Sequence, residues 1–143
     1  MTEQTLQGSC LCKQVTYQIQ TPLKVFQYCH CSRCQKVSGS AFAANLFVPK
    51  AQLIWTQGED LLGRYEIPDA KYYATCFCKN CGSNLPWLTK TGETYILPAG
   101  SLDSELEMKP KQNIFCQDTP DWHINDADLP KFVQGPFGPK LDD

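Results

Sequence analysis

Eight of the nine cysteines in this 143-residue chain lie in three tight clusters: Cys10 and Cys12, then Cys29, Cys31 and Cys34, then Cys76, Cys78 and Cys81. Thiols separated by one or two residues sit on a single turn of backbone, so both sulfurs can reach one ion, whereas a disulfide gains little from closing so short a loop. The chemistry this spacing predicts is metal–thiolate coordination. Cys10 and Cys12 offer two sulfurs from one turn and Cys78 and Cys81 two more from another, which together close a tetrahedron around a structural zinc. Gly82 directly follows the second turn, where a zinc knuckle needs a residue that accepts a positive backbone angle. Cys29, Cys31 and Cys34 come from one short loop and cap one face of a second ion, leaving its fourth position to an outside ligand.

An open position means reactivity. Three thiolates leave a divalent zinc formally anionic, which weakens its power to polarise a carbonyl and favours nucleophilic chemistry instead. A thiol arriving there loses its proton, against a free cysteine pKa of roughly 8.5, and its sulfur stays electron-rich enough to attack an aldehyde carbon. The same three cysteines would also serve a metal store or a redox switch. Cys76 stands two residues before Cys78, so in a strand both point to one face, and packing is its expected role. His30, between two ligand candidates, is expected to be a loop histidine facing away from their ion. His123 is expected to be a surface or capping residue, Ser38 and Gly39 to shape the turn after the metal loop, and Arg64 and Lys71 to be solvated charges.

Composition bounds the function classes. A chain that is 42% hydrophobic and 11% aromatic can bury one core at this length, so residues 1–134 are read as a single zinc-binding domain and 135–143 as an irregular tail. A net charge of -2 and the lack of any Lys or Arg run give no field to attract a phosphate backbone, so nucleic acid is not an expected partner. No segment approaches the roughly 20 apolar residues that cross a bilayer, and the first residues are polar. A cytoplasmic location without membrane association follows as the expectation. In that reducing compartment clustered thiols serve metals or catalysis, and nine cysteines fall below the roughly 8–10% that marks a disulfide scaffold.

The elements that must hold these clusters read as mainly β. Val15, Tyr17 and Ile19 alternate with polar neighbours. Further strands are expected at 25–28, 42–48, 53–56, 62–66, 72–77, 85–89 and 94–97, the last two flanking a hairpin turn at Lys90-Thr91-Gly92-Glu93. The only helix signal is Thr119-Pro120-Asp121-Trp122, with a capping residue, Pro at the first helical position and an acid in the first turn, which predicts one short helix near the C-terminus.

Taken together, Gly8-Ser-Cys10-Leu-Cys12, Val15-Thr-Tyr17, Cys29-His-Cys31-Ser-Arg-Cys34-Gln-Lys-Val-Ser38-Gly39 and Phe77-Cys78-Lys-Asn-Cys81-Gly82 resemble the glutathione-dependent formaldehyde-activating enzyme family. Ala99-Gly-Ser-Leu-Asp103, Ile114-Phe115, Trp122, Ile124 and Leu129-Pro-Lys-Phe132 are similar to that family's carboxyl-terminal pattern. The resemblance implies an Mss4-like fold of short antiparallel sheets stapled by zinc. It implies two zinc ions per chain, a structural one at Cys10, Cys12, Cys78 and Cys81 and a catalytic or labile one at Cys29, Cys31 and Cys34. The implied reaction joins glutathione to formaldehyde as S-(hydroxymethyl)glutathione, which is carbon–sulfur lyase chemistry in reverse, with the glutathione sulfur at the open zinc position. The chain departs from the pattern at Asn113, where the family has His, and at the additional thiols Cys76 and Cys116. The competing expectation is a noncatalytic zinc module that binds a protein partner.

Overall fold

In the computed structural model, which describes residues 2–141, ten strands and one α-helix follow one another along the chain. They are β1 (Thr5–Ser9), β2 (Thr16–Gln20), β3 (Phe26–Cys29), α1 (Ser32–Ser38), β4 (Ala43–Pro49) and β5 (Leu53–Gln57), then β6 (Leu62–Glu66), β7 (Ala74–Cys78), β8 (Trp87–Leu88), β9 (Thr94–Pro98) and β10 (Gln112–Ile114). Three sheets result, with strand orders β1-β2-β5, β10-β3-β4-β9-β8 and β6-β7. Every pairing is antiparallel except that of β10 with β3. The mainly β class and the expected strands are therefore present, and the architecture is consistent with the Mss4-like fold.

The alternation around Val15 is realised in β2, where Tyr17 and Ile19 are fully buried and Thr16 and Gln18 are half-exposed. On the facing strand only glycine fits, because a Cβ at Gly8 would overlap the Tyr17 ring. Leu46 and Val48 of β4, Ile96 and Leu97 of β9 and Leu85 join them in one core, and Cys10, Cys76 and Cys78 belong to the same cluster. Metal-site candidates and hydrophobic core are thus continuous. The predicted turn closes the β8–β9 hairpin, with Gly92 at φ 80 and Thr89 N–H donating to the Thr94 carbonyl.

Two expectations are corrected. The α-helix lies at Ser32–Ser38, inside the cysteine loop, and beyond β10 the helical segments among the described residues are the 3-10 turns at Cys116–Asp118 and Asp126–Asp128. After Pro120 the chain makes one turn, with His123 N–H donating to the Pro120 carbonyl, and goes no further. Trp122 and Ile124 remain 67% and 51% exposed, so a helix there would have no apolar face to bury, and short helices depend on such packing. His123 is not a cap either: it is half-buried, with its ring 5.8 Å from those of His30 and Phe42.

Candidate metal centre

The β1–β2 connection and the end of β7 each form a knuckle. In the first, Cys10 N–H donates to the Val15 carbonyl, Lys13 N–H donates back to the Cys10 carbonyl, and Lys13 takes φ 69. In the second, Gly82 N–H donates to the Cys78 carbonyl at 2.7 Å and Gly82 takes the expected positive φ, 77. The knuckles face each other, and Leu11 N–H crosses to the Ser83 hydroxyl at 3.0 Å. The sulfurs of Cys10, Cys12, Cys78 and Cys81 all lie within 4.8 Å of one another. Cys10 Sγ is 3.5 Å from Cys12 Sγ, which in turn is 3.8 Å from Cys78 Sγ. A tetrahedral ion with bonds of about 2.3 Å to sulfur places its ligands about 3.8 Å apart, whereas a disulfide needs about 2.05 Å. These separations fit an ion, and all nine cysteines are free.

Local donors favour the charged form of two of these thiols. The Ser83 hydroxyl and backbone beside Cys81 pull its thiol down to about 5. Cys12 is also lowered, first by the Asn80 side chain. Val15 N–H points at Cys10 Sγ at 3.3 Å and Cys81 N–H at Cys78 Sγ at 3.5 Å.

The second cluster is built where β3 runs into α1. Cys29 ends the strand, Cys31 is the helix N-cap, and Cys34 lies in the first turn. Cys31 Sγ accepts from Cys34 N–H at 3.3 Å, so a sulfur replaces the usual oxygen cap. The three sulfurs lie within 4.8 Å of one another, and among the described residues no fourth His, Cys, Asp or Glu atom joins them. Cys29 and Cys34 are buried and Cys31 is half-exposed. A hydrogen bond from Cys34 pulls the Cys29 thiol down to about 6, and the same bond, with burial, holds Cys34 well above the ordinary thiol range.

Residues remote in sequence complete the surroundings of Cys34. The Tyr73 hydroxyl donates to Cys34 Sγ at 3.1 Å, and Asn45 Nδ2 approaches it at 3.9 Å. The Tyr73 ring stacks on Trp87 with centroids 4.7 Å apart. Burial and the bond to Cys34 push its phenol far up, so it remains a donor. Nothing in the sequence marks Tyr73 or Asn45, because neither belongs to a motif and both reach the cluster only through sheet pairing. A cavity of about 140 Å3 adjoins them, lined by Phe42, Ala44, Tyr73, Cys76 and Trp87 among others.

Cys76 points into neither cluster; burial raises its thiol to about 11. Cys116 is exposed. His30 is not among the clustered ligand atoms, but it is buried, with Nε2 3.0 Å from Asn113 Oδ1. Arg64 pairs with Glu66 at 2.9 Å, and Lys71 sits over the Tyr72 ring. Both clusters can therefore hold a metal ion, one through four sulfurs and one through three. No helix among the described residues is long and apolar enough to cross a membrane.

The profile of the family described as glutathione-dependent formaldehyde-activating enzyme matches residues 5–118. No curated protein matches the chain. Among solved structures, a Rhodobacter sphaeroides protein is similar at 18% identity and a TM-score of 0.59, the alignment covering 75% of this chain and 99% of that one. At that identity the likeness concerns the fold.

Proposed function

This chain belongs to the glutathione-dependent formaldehyde-activating enzyme family, and from that membership we propose that it is a zinc-dependent carbon–sulfur lyase acting on the adduct of a thiol with an aldehyde. Glutathione is the thiol, S-(hydroxymethyl)glutathione the adduct, and a reducing cytoplasm the setting that keeps the nine cysteines free. The observation that carries this reading is the set of three clustered sulfurs with no fourth protein ligand among the described residues.

Cys10, Cys12, Cys78 and Cys81 would hold a structural zinc, and Cys29, Cys31 and Cys34 a second one. When bound at the second site, zinc supplies an acid that keeps an incoming thiol deprotonated near neutral pH. The chain's own groups do the rest. Tyr73 and Asn45 fix the Cys34 sulfur and temper its charge. Phe42, Trp87 and the Tyr73 ring wall the adjoining cavity with apolar surface, which limits water around a small aldehyde. In synthesis the thiolate sulfur forms a bond to the aldehyde carbon, the carbonyl π pair moves to oxygen, and that oxygen takes up the proton the thiol gave up. Cleavage runs the same bonds backwards.

A second reading is a noncatalytic zinc module that binds a protein. It is favoured by the exposure of Trp122, Leu129, Val133 and Phe137, the last fully exposed. One experiment separates the two: metal content per chain and sulfur coordination by X-ray absorption, before and after glutathione. The enzyme reading expects two zinc ions, with the three-sulfur site alone gaining a sulfur from glutathione. If neither ion responds to millimolar thiol, the enzyme reading is wrong.

A further inference from the structure

Phe42 also lines a larger cavity, about 680 Å3. Tyr28 and Phe42, with ring centroids 4.4 Å apart, supply its aromatic wall, and His30 and Asn113 also line it. The remaining lining residues are His123, Ile124, Asn125 and Asp126. The family match ends at residue 118, so half of this cavity is built by a segment outside the matched region. The chain that leads into that segment is tied to the three-cysteine loop: Gln35 of α1 donates both to the His30 carbonyl at 2.7 Å and to the Asp118 carbonyl at 2.9 Å.

The lining chemistry is one-sided. Among the lining residues there is no lysine or arginine, and the Asp126 carboxylate is the one acidic group. A carboxylate entering here finds no strong cation, while an ammonium finds an anion. The His30 ring holds an acceptor beneath this lining that the fold leaves unpaired. When Nε2 donates to Asn113 Oδ1, Nδ1 carries the lone pair, and Nδ1 is buried without a hydrogen-bond partner. A buried polar atom left unpaired is costly, and the group that completes this one is an N–H or O–H donor. His30 is bracketed by Cys29 and Cys31, so the cavity it lines adjoins the cysteine loop.

We propose that this cavity receives the amine-bearing end of the thiol ligand, and that Asp126 sets the preference for that amine. The proposal rests on the thiol-binding reading above and deepens it. In glutathione the matching group is the ammonium of the γ-glutamyl end, with the carboxylate on the same carbon turned to the cavity mouth and the glycine carboxylate outside.

The test compares glutathione with its N-acetyl derivative, which keeps the thiol and both carboxylates and replaces the ammonium by a neutral acetamide. Calorimetric affinities are measured on the zinc-loaded full chain for the wild type, Asp126→Asn and Asp126→Lys, with folding checked by circular dichroism. For an exposed pair the preference for glutathione over the derivative is expected to be about fivefold in the wild type, to vanish in Asp126→Asn and to invert in Asp126→Lys. Equal binding of both ligands to the wild type, or a preference that survives in both variants, overturns the assignment while leaving thiol binding intact. If neither ligand binds at all, the thiol-binding reading falls and this proposal with it.

Discussion

The Tyr73 hydroxyl donates to the Cys34 sulfur at 3.1 Å although 39 residues separate them. The phenol is held from its other side by the stack on Trp87. A group that bonds to a ligand atom without touching an ion acts on that ion through the ligand's basicity and aim. Tyr73→Phe keeps the ring and removes the donor. Zinc affinity at the three-cysteine site is expected to fall about tenfold, the low end of the effect of losing such a partner, with the melting temperature of the protein nearly unchanged. Chelator competition read separately for the two sites checks it; an equal loss at the four-cysteine site would contradict the assignment.

The two clusters should differ in what they do for stability. Cys78→Ala opens a closed site continuous with the core and forfeits a share of an ion's contribution, on the order of 10 kcal/mol for structural zinc in small peptides. Cys31→Ala removes one ligand and a helix cap, the latter about 1 kcal/mol. Thermal unfolding of the zinc-loaded proteins is expected to show a far larger loss for Cys78→Ala. Equal losses would refute the division of ligands.

Gly82 and Gly39 offer a matched pair. Both hold positive φ, 77 and 68, and a Cβ at either meets nothing within 4 Å, so alanine costs backbone strain alone. Each substitution is expected to destabilise by about 1–2 kcal/mol. Gly82 closes the Cys78–Cys81 knuckle, and Gly39 ends α1. Only Gly82→Ala should also weaken zinc binding at the four-cysteine site, as titration against a chromophoric chelator would reveal.

In the ion-free protein Cys29 titrates at about 6 instead of its ordinary 9.0, chiefly because Cys34 donates to it. A lowered thiol contributes stability that is complete above 9.0 and is lost as pH falls through about 6. Ultraviolet thiolate absorbance of the metal-free chain should therefore rise around pH 6. Cys34→Ala removes the donor and should carry that step back up towards 9.0; a step that stays in place would mean that another group lowers Cys29.

The fold and the clusters were legible in the sequence to different depths. Cysteine spacing alone picked out the seven sulfurs that the fold gathers into two groups, because a knuckle is local and its geometry is written in adjacent residues. Strands with clean alternation, such as that around Tyr17, and the turn at Gly92 were equally plain. β10 was not, since Gln112-Asn113-Ile114 has no apolar pattern and is recruited by the edge of β3, where Gln112 Nε2 donates to Gln27 Oε1. The helix at Ser32–Ser38 escaped because its cap is a sulfur, not one of the oxygen side chains that announce a helix start. The signal at Thr119 had the opposite fault, a good start with nothing to pack against. Tyr73 and Asn45 are invisible one residue at a time, because their role exists only once β4 and the segment leading into β7 reach the cysteine loop.

Cys12 and Cys78 approach to 3.8 Å from positions 66 residues apart in the chain. Before the sheets form, such distant partners meet rarely, whereas each knuckle already holds two sulfurs side by side. An ion encountering the nascent polypeptide would therefore be captured first by one local pair, and its coordination completed only after β7 docks. With zinc as that ion, loading with metal and the last long-range step of folding would be one event, and a chain starved of zinc would stall with its amino-terminal hairpin unclasped.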